Sequence, residues 1–373
     1  MTTEAWTYPE TVRTDCRHFR GSVPCRPHKL HGVHCSDPSG APCPHYAPVT
    51  AQILIIKLGA MGDVLRSTPL LRRLMQKYPQ ARFWWLTYTP QVVPPSVDVV
   101  LTYTPQSIAL LQAVEFDLLI NLDKDPEACA LASTLRSRDK RGYTLAGGLP
   151  SPMNADAVPK FMTGIFDDAS RANRLSYLEE IFAIAGERFA GERYILEPVS
   201  DRPAPWKLPR GKPIVGLNTG CGARWTSRLW PERNWVSLAT KLRASGAVPL
   251  LLGGEQEHVK NRRIARLSGA RYPGFFAIDE FIQLVAACDL VVTGVTFAMH
   301  VAIGLGKRIV LFNNIFNRHE FELYGQGEIL EPEAGCTCYY APQCTNPAFA
   351  PTGCMKTLRV ESVADACRRL LRS

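Results

Sequence analysis

An aspartate directly follows a glycine-rich turn near residue 60, and this pattern carries the clearest chemistry in the chain. Residues 53–71 read Ile-Leu-Ile-Ile-Lys-Leu-Gly-Ala-Met-Gly-Asp-Val-Leu-Arg-Ser-Thr-Pro-Leu-Leu. The unbroken apolar run is typical of a parallel strand that is buried on both faces, and Gly59 and Gly62 allow a sharp turn after it. Open α/β sheets bind ligands at the carboxyl ends of such strands. Asp63 is therefore a candidate general base, and capping of the next helix is the alternative.

Three strand ends in the second half of the chain carry residues suited to phosphate and sugar hydroxyls. After residues 214–218, a loop of small residues with two arginines leads into a helix, so amides and guanidinium groups can bind an anion; a solvated loop is the alternative. After residues 248–253, a glutamate can accept hydrogen bonds from ribose hydroxyls, or it can simply be stabilised by the dipole at the start of the next helix. After residues 289–293, a threonine and helix amides can hold a diphosphate, and the histidine one turn later faces the ligand or packs in the core. The candidate donor-binding residues are Gly62, Thr219, Gly220, Arg224, Arg228, Glu257, Thr296, Phe297, Ala298, Met299 and His300.

Eight of the twelve cysteines fall into two clusters. Disulfides are disfavoured in a reducing compartment, so clustered cysteines indicate structural Zn or Fe, with reduced thiols as the alternative. A segment of 48 residues without an apolar core needs such a staple to fold, and a histidine can replace one of its cysteines. The predicted metal ligands are Cys16, Cys25, Cys35 and Cys43 at one end of the chain, and Cys336, Cys338, Cys344 and Cys354 at the other.

Alternating strands and helices must position these residues. The pattern predicts strands over 53–58, 82–87, 118–122, 214–218, 248–253, 289–293 and 308–312, and helices over 69–77, 128–135, 169–185, 231–245, 256–267, 298–305 and 362–371. Such alternation produces a parallel sheet covered by helices on both faces. The proline-rich stretch 198–213 reads as a linker. We therefore expect an α/β fold with two doubly wound Rossmann-like domains facing across a cleft, over residues 49–200 and 201–373, preceded by a Cys/His-rich segment over residues 1–48.

Composition narrows the class of partner. The chain has 43 Lys and Arg against 34 Asp and Glu, a net charge of +9, which suits anionic partners such as nucleotides, phosphorylated glycans or an acidic membrane surface. No apolar run reaches the length of a transmembrane helix, and the polar first ten residues indicate no secretory signal. We expect a cytoplasmic protein, with peripheral contact at the inner face of the membrane as an extension of that expectation. Nucleic acid is not an expected partner, because residues 1–48 lack an interleaved basic and aromatic patch.

These motifs, in this order, resemble glycosyltransferase family 9, the ADP-heptose:lipopolysaccharide heptosyltransferases, which have the GT-B fold. The resemblance covers roughly residues 51–373. It implies that Asp63 matches the family's catalytic aspartate and that Arg228 matches a lysine that holds the donor phosphate. It also implies that Glu257 matches an acidic residue that contacts the ribose, and that residues 296–300 match the loop that binds the diphosphate and the sugar. Some family members also resemble the chain in carrying a cysteine-rich segment before the last helix.

The resemblance implies an inverting transfer of a sugar, heptose or related, from a nucleotide-diphosphate sugar such as ADP-heptose to a hydroxyl of a glycan, lipid-linked glycan or protein acceptor. No catalytic metal is required, since Arg228 and loop amides can meet the phosphate charge. The chain departs from the family pattern at Val295, where the family has an aspartate that touches the donor sugar, and at Phe297, where it has a glycine. The turn 121–125 can line the acceptor site or cap a helix. The alternative function is a Cys/His-metal module that binds nucleic acid or protein on a non-catalytic transferase body.

Overall fold

The computed structural model describes residues 11–37, 39–197, 204–209, 211–222, 225–349 and 353–372. The first domain is built on a six-stranded sheet with the order β3-β2-β1-β4-β5-β6, in which only β6 runs antiparallel to its neighbour. Its strands are β1 (Ala51–Ile56), β2 (Ala81–Leu86), β3 (Val99–Leu101), β4 (Glu115–Asn121), β5 (Arg136–Ala146) and β6 (Leu149–Pro152). Residues 53–56 of β1 are fully buried because β1 lies between two other strands and helices cover both faces of the sheet.

Eight short helices are described before the second domain. α1 (Arg26–His31) precedes β1, and α2 (Met61–Leu65), α3 (Thr68–Lys77), α4 (Pro105–Ala113) and α5 (Pro126–Thr134) connect strands of the sheet. α6 (Val158–Ile165), α7 (Asp167–Ala172) and α8 (Tyr177–Ile184) follow β6. The expected single helix over 169–185 is wrong: α7 ends before Asn173, and Ser176 begins α8 with a capping box in which it and Glu179 bond each other's backbone N–H.

The second domain is a five-stranded, all-parallel sheet with the order β11-β10-β9-β7-β8. Its strands are β7 (Ile214–Asn218), β8 (Val248–Leu252), β9 (Leu290–Gly294), β10 (Arg308–Phe312) and β11 (Gly327–Leu330), and its helices are α9 (Glu232–Ala244), α10 (His258–Ser268), α11 (Ile278–Ala286), α12 (Phe297–Gly304) and α13 (Val360–Arg372). The fold class is confirmed: two parallel-sheet Rossmann-like domains face each other across a cleft. The predicted boundary at residue 200 lies outside the described residues.

Among the described residues, no helix has both the length and the apolar character needed to cross a bilayer. Cys129, Cys288 and Cys367 are fully buried in the two domains and pack as small apolar side chains.

Candidate active site

The carboxyl ends of the two sheets enclose a cavity of about 670 Å³. It brings together most of the residues that the motifs single out, although they come from loops more than 200 positions apart in sequence. The predicted residues that line it are Gly62, Asp63, Gly220, Arg228, Glu257, Thr296, Phe297, Ala298 and His300. We call this space the donor cavity.

Asp63 stands in the first turn of α2, on the first-domain wall of the donor cavity. Its carboxylate forms an ion pair of 2.9 Å with Arg66, whose guanidinium lies 3.5 Å over the ring of Tyr177. Burial by itself would raise the pKa of Asp63, but the charges of Arg66 and Lys57 outweigh it and lower the pKa. The N-cap position belongs to Ala60, so Asp63 is not the cap residue, although the N–H of Ala60 also lowers its pKa. The cavity therefore holds an ionised carboxylate at neutral pH.

His300 of the second domain packs directly on Gly62 of the first. A Cβ built on Gly62 would lie 2.5 Å from Cδ2 and 3.1 Å from Nε2 of His300. The ring is buried and stacks on Tyr194, with Nδ1 3.4 Å from its hydroxyl. Burial first, and then the charge of Arg66, lower the pKa of His300 to about 3, so the imidazole is neutral. This contact fixes how the loop bearing Asp63 meets α12.

Arg228 carries the unneutralised positive charge of the donor cavity. Its guanidinium donates to the carbonyl oxygen of Cys221, at 2.8 Å, and to that of Val295. Among the described residues it has no carboxylate partner, and burial lowers its pKa. A partly buried cation without a counter-ion favours an anionic ligand.

Glu257 closes the far side of the donor cavity. Its carboxylate accepts from the N–H of Gly254 at 3.0 Å, and a Cβ on Gly220 would lie 2.4 Å from Oε1. Gly220 therefore has to be a glycine for Glu257 to reach the cavity. The apolar side chains of Phe276, Ile278 and Phe281 line the same space.

Three predicted donor-binding residues are not placed in the donor cavity. Thr219 is buried and its hydroxyl donates to Oδ1 of Asn261 at 2.6 Å, so it fixes the loop from behind. Met299 points into the core, because successive residues of α12 face different sides and only Thr296, Phe297, Ala298 and His300 reach the cavity. Arg224 lies outside the described residues.

Asn218 is a site residue that the motifs did not single out. Its Nδ2 donates to Oγ1 of Thr296 at 3.1 Å and to Oγ1 of Thr293 at 3.0 Å, so it orients the start of α12. Its position in the sequence could have predicted this role, because Asn218 is the last residue of β7 and polar residues at the carboxyl ends of parallel strands face the ligand.

A second cavity, of about 380 Å³, lies on the first-domain side of Asp63, and we call it the acceptor cavity. Asp63, Arg66, Glu320 and Tyr340 line both cavities, so the two meet at the carboxylate. Lys124 lines the acceptor cavity beside the rings of Tyr143 and Phe161, and a Cβ on Gly164 would lie 1.7 Å from its Nζ. Burial lowers the pKa of Lys124 to about 8.

The residues of the turn at 121–125 thus have different roles. Asp123 is buried and forms an ion pair with Lys57 while accepting from the N–H of Leu58, so it holds the turn after β1. Asp125 occupies the N-cap position of α5. Asp123 and Lys124 both line the acceptor cavity, and Lys124 is the one whose charge has no carboxylate partner among the described residues.

The C-terminal cysteines lie beside the loop that carries Arg228. The Sγ atoms of Cys338 and Cys344 are 3.7 Å apart, and Cys336 and Cys354 are hydrogen-bonded to each other. The hydroxyl of Ser227 donates to the carbonyl oxygen of Ala341 at 2.9 Å, and the N–H of Ser227 donates to that of Pro342 at 3.0 Å. The cysteine segment therefore supports the turn that positions Arg228.

The four N-terminal cysteines line a cavity of their own, far from the donor loops in sequence. Within the ranges that the structure describes, no three Cys, His, Asp or Glu side chains are placed to hold a single ion. The predicted mononuclear sites at Cys16, Cys25, Cys35 and Cys43, and at Cys336, Cys338, Cys344 and Cys354, are thus not formed as complete ligand sets.

Comparison with known proteins places this geometry in context. The sequence profile of glycosyltransferase family 9 (heptosyltransferase) matches residues 193–321. Lipopolysaccharide heptosyltransferase 2 of Escherichia coli (strain K12) is 25% identical over 297 residues, which are 69% of this chain and 81% of that protein.

Two solved structures share the fold. The glycosyl transferase family 9 protein from Veillonella parvula DSM 2008 has a TM-score of 0.65 at 15% identity, covering 87% of this chain and 98% of that one. TibC from enterotoxigenic E. coli H10407, described as an iron-containing dodecameric glycosyltransferase and also solved with ADP-D-β-D-heptose, has a TM-score of 0.54 at 12% identity, covering 87% and 77%. These comparisons confirm the resemblance drawn from the motifs, and they favour an enzyme over a binding module on a non-catalytic body.

Proposed function

We propose that the chain, which matches the sequence profile of glycosyltransferase family 9 over residues 193–321, transfers heptose or a related sugar, with inversion, from a nucleotide-diphosphate donor to a glycan hydroxyl. One observation carries the proposal: the ionised Asp63 of the first domain and the unneutralised Arg228 of the second line the same cavity. The carboxylate of Asp63 can act as a base, and the guanidinium of Arg228 can bind the departing diphosphate.

The second domain holds the donor. Arg228 and the amides at the start of α12 bind the diphosphate, Glu257 accepts from the ribose hydroxyls, and Phe276, Ile278 and Phe281 contact the base. A donor with an adenine base is favoured by the relatives, which include a heptosyltransferase solved with ADP-D-β-D-heptose. Val295 and Phe297 line the sugar end, so that end is less polar than a carboxylate would make it.

The reaction proceeds by a single displacement. The acceptor hydroxyl lies between the two cavities and gives its proton to the carboxylate of Asp63 as its oxygen attacks the anomeric carbon. The bond from that carbon to the diphosphate breaks, and the charge on the departing nucleoside diphosphate meets Arg228 and the helix amides. Attack from the side opposite the leaving group inverts the anomeric carbon. The lowered pKa keeps Asp63 fully ionised at neutral pH, although it also makes the carboxylate a weaker base.

The acceptor is a lipid-linked glycan that carries an anionic group. Lys124 offers a half-buried amine without a carboxylate partner among the described residues, and it lies in the acceptor cavity. Helix α6 borders that cavity with Lys160, Thr163 and Gly164, while its opposite side exposes an apolar row: Val158, Met162, Ile165 and the following Phe166. An exposed row of this kind beside an acceptor site suits contact with a membrane that holds the acceptor lipid.

The C-terminal cysteines hold one structural Zn or Fe. The 3.7 Å between Sγ of Cys338 and Sγ of Cys344 fits the edge of a tetrahedron with metal–sulfur bonds of about 2.3 Å, which is roughly 3.8 Å. The N–H groups of Cys338 and Thr345 donate to cysteine sulfurs, as they do around metal-bound thiolates. The metal would bind Cys336, Cys338, Cys344 and Cys354, closing the segment that supports Ser227. Iron in the structural neighbour TibC favours this assignment.

Calorimetry with nucleotide diphosphates tests the donor half of the proposal. We expect ADP or ADP-heptose to bind the wild-type chain and to raise its unfolding temperature in proportion to RT ln(1 + [L]/Kd). Absence of binding by ADP-, GDP-, UDP- and dTDP-sugars alike would contradict a nucleotide-sugar transferase.

A further inference from the structure

All four N-terminal cysteines border one cavity. This cavity, of about 270 Å³, is lined by Cys16, Cys25, Cys35 and Cys43. A cavity just large enough for one water molecule has a volume of about 10–15 Å³. The cavity that the four cysteines border is therefore far larger than a single metal ion requires.

The thiols of the two cysteine clusters are arranged differently. At the C-terminal cluster, Sγ of Cys338 and Sγ of Cys344 approach to 3.7 Å, the spacing for one shared ion. Neither cluster brings together three described side chains that could hold one ion, but at the N-terminal cluster all four cysteines line the same cavity. In an iron–sulfur cluster each thiolate binds a different iron, and the irons and sulfides fill the volume between the thiolates.

We propose that residues 11–48, the N-terminal segment, hold a [4Fe–4S] cluster whose four ligands are Cys16, Cys25, Cys35 and Cys43. The proposal does not rest on glycosyl transfer, because these residues contribute to neither the donor cavity nor the acceptor cavity.

The surroundings of the thiols suit bound thiolates. The N–H of Cys43 donates to the carbonyl oxygen of Cys35 at 2.9 Å, which holds two ligands side by side. The N–H of His45 donates to Sγ of Cys43 at 3.4 Å, and such N–H···S bonds stabilise thiolates and tune a cluster's potential. Arg13, Tyr46 and four histidines line the same cavity together with five apolar residues, so hydrogen-bond donors are available to the anionic cluster.

Cluster formation is coupled to how the N-terminal segment binds the first domain. Arg17, next to the ligand Cys16, donates to both carboxylate oxygens of Asp98 at 2.7 Å and to the carbonyl oxygen of Ala81 at 2.7 Å. Arg82 of β2 donates back to the carbonyl oxygens of Cys16 and Arg17, at 3.2 and 3.1 Å. Loss of the cluster frees Cys16 and is expected to release the segment from the edge of the first sheet.

The test is the iron and acid-labile sulfide content of the full chain, purified without oxygen and reconstituted with equal amounts of ferrous and ferric iron, sulfide, and Zn²⁺ in competition. We expect about four sulfides per chain and a broad visible absorption that dithionite bleaches, with one additional iron or zinc at the C-terminal cluster. Sulfide discriminates the two sites, since a mononuclear centre contains none.

Two reciprocal variants locate the cluster. Cys25→Ser is expected to lose the labile sulfide, whereas Cys344→Ser, which removes a C-terminal thiol instead, is expected to keep it. Zinc without sulfide in the wild-type chain would overturn the proposal, and so would a Cys25→Ser chain that retains full sulfide. The wild-type stoichiometry decides the question even if Cys25→Ser fails to fold.

Discussion

Replacing Gly62 by alanine should separate the two walls of the donor cavity. The added Cβ would lie 2.5 Å from Cδ2 of His300, and ordinary contacts of a Cβ begin near 3.4 Å, so the two groups must part by 3.4 − 2.5 = 0.9 Å. His300 cannot easily give way, because its ring is buried against Tyr194. Overpacking of this kind costs about 1–3 kcal/mol, and the better helix propensity of alanine offsets about 1 kcal/mol of it.

The catalytic effect should exceed the effect on stability. Gly62 adjoins Asp63, so a shift of α2 by about 1 Å moves the carboxylate away from the anomeric carbon, and a misplacement of that size lowers turnover by about 10²-fold. We expect kcat/KM to fall by about that factor, with donor affinity nearly unchanged, since Arg228 and Glu257 lie on the other wall.

Gly294→Ala is the matched control, because a Cβ there meets nothing within 4 Å. Steady-state turnover with ADP-heptose, calorimetry with ADP and thermal unfolding are measured on both variants. Wild-type turnover in Gly62→Ala would show that the contact with His300 does not position Asp63, and this would refute the reasoning.

Four further predictions follow from the charges and contacts of the two cavities. Arg228→Ala should weaken nucleotide-diphosphate binding by about 1.5–3 kcal/mol, the worth of a charge-assisted hydrogen bond, while the exposed Arg262→Ala leaves calorimetric affinity unchanged; equal affinities would mean that Arg228 does not touch the diphosphate. His300 should destabilise the wild-type chain in acid, because the unfolded ring takes up a proton below pH 6.5 whereas the folded ring stays neutral to about pH 3. The free energy of unfolding should therefore fall by about 2 kcal/mol between pH 7 and pH 5 relative to His300→Gln. Parallel pH profiles of unfolding for the two chains would contradict this. The acceptor KM should rise above about pH 8, because Lys124 loses its proton and with it the attraction for an anionic acceptor. The Lys124→Gln chain should have a high KM throughout and lack that rise. A wild-type KM that is constant from pH 7 to 9 would exclude the amine from acceptor binding. Cys344→Ser should raise the donor Kd several-fold by loosening the support of Ser227, with acceptor KM unchanged; an unaltered donor Kd would separate the cysteine segment from the donor cavity.

The buried strands were predictable from sequence, and the edges of the sheets were not. The strands Ile214–Asn218 and Arg308–Phe312 have the predicted bounds, because continuous apolar runs mark strands that are covered on both faces. β5 (Arg136–Ala146) was missed because seven residues of polar or charged type interrupt any apolar pattern along it, and most of its side chains are exposed or half-buried at the edge of the parallel part of the sheet. Edge strands lack the burial that makes a pattern readable.

The site could be predicted only to the level of loops. The motifs indicated Asp63, Arg228, Glu257 and Thr296, and these residues line one cavity because the ends of parallel strands meet at one edge. They could not tell which side chains within a loop face the ligand, and so they included Thr219, whose hydroxyl is bound to Asn261 behind the loop. That choice depends on backbone direction and on long-range partners.

The arrangement of the cysteines was likewise beyond the sequence. The spacing of the cysteines indicated two metal clusters. It could not distinguish cysteines whose thiols approach in pairs, as those of Cys338 and Cys344 do, from cysteines that line one cavity. It also gave no sign that the C-terminal segment contacts Ser227 through Ala341, because that contact joins positions more than 100 residues apart.

The most direct test of the central claim is single-turnover kinetics of Asp63→Asn with saturating ADP-heptose and acceptor, alongside Asp125→Asn, which changes an aspartate outside both cavities. If Asp63 is the general base, sugar transfer slows by about 10²–10⁴-fold, donor Kd by calorimetry stays within about twofold because Arg228 is intact, and Asp125→Asn reacts at the wild-type rate. An Asp63→Asn chain that keeps more than about a tenth of the wild-type rate would contradict the assignment of Asp63 as the base.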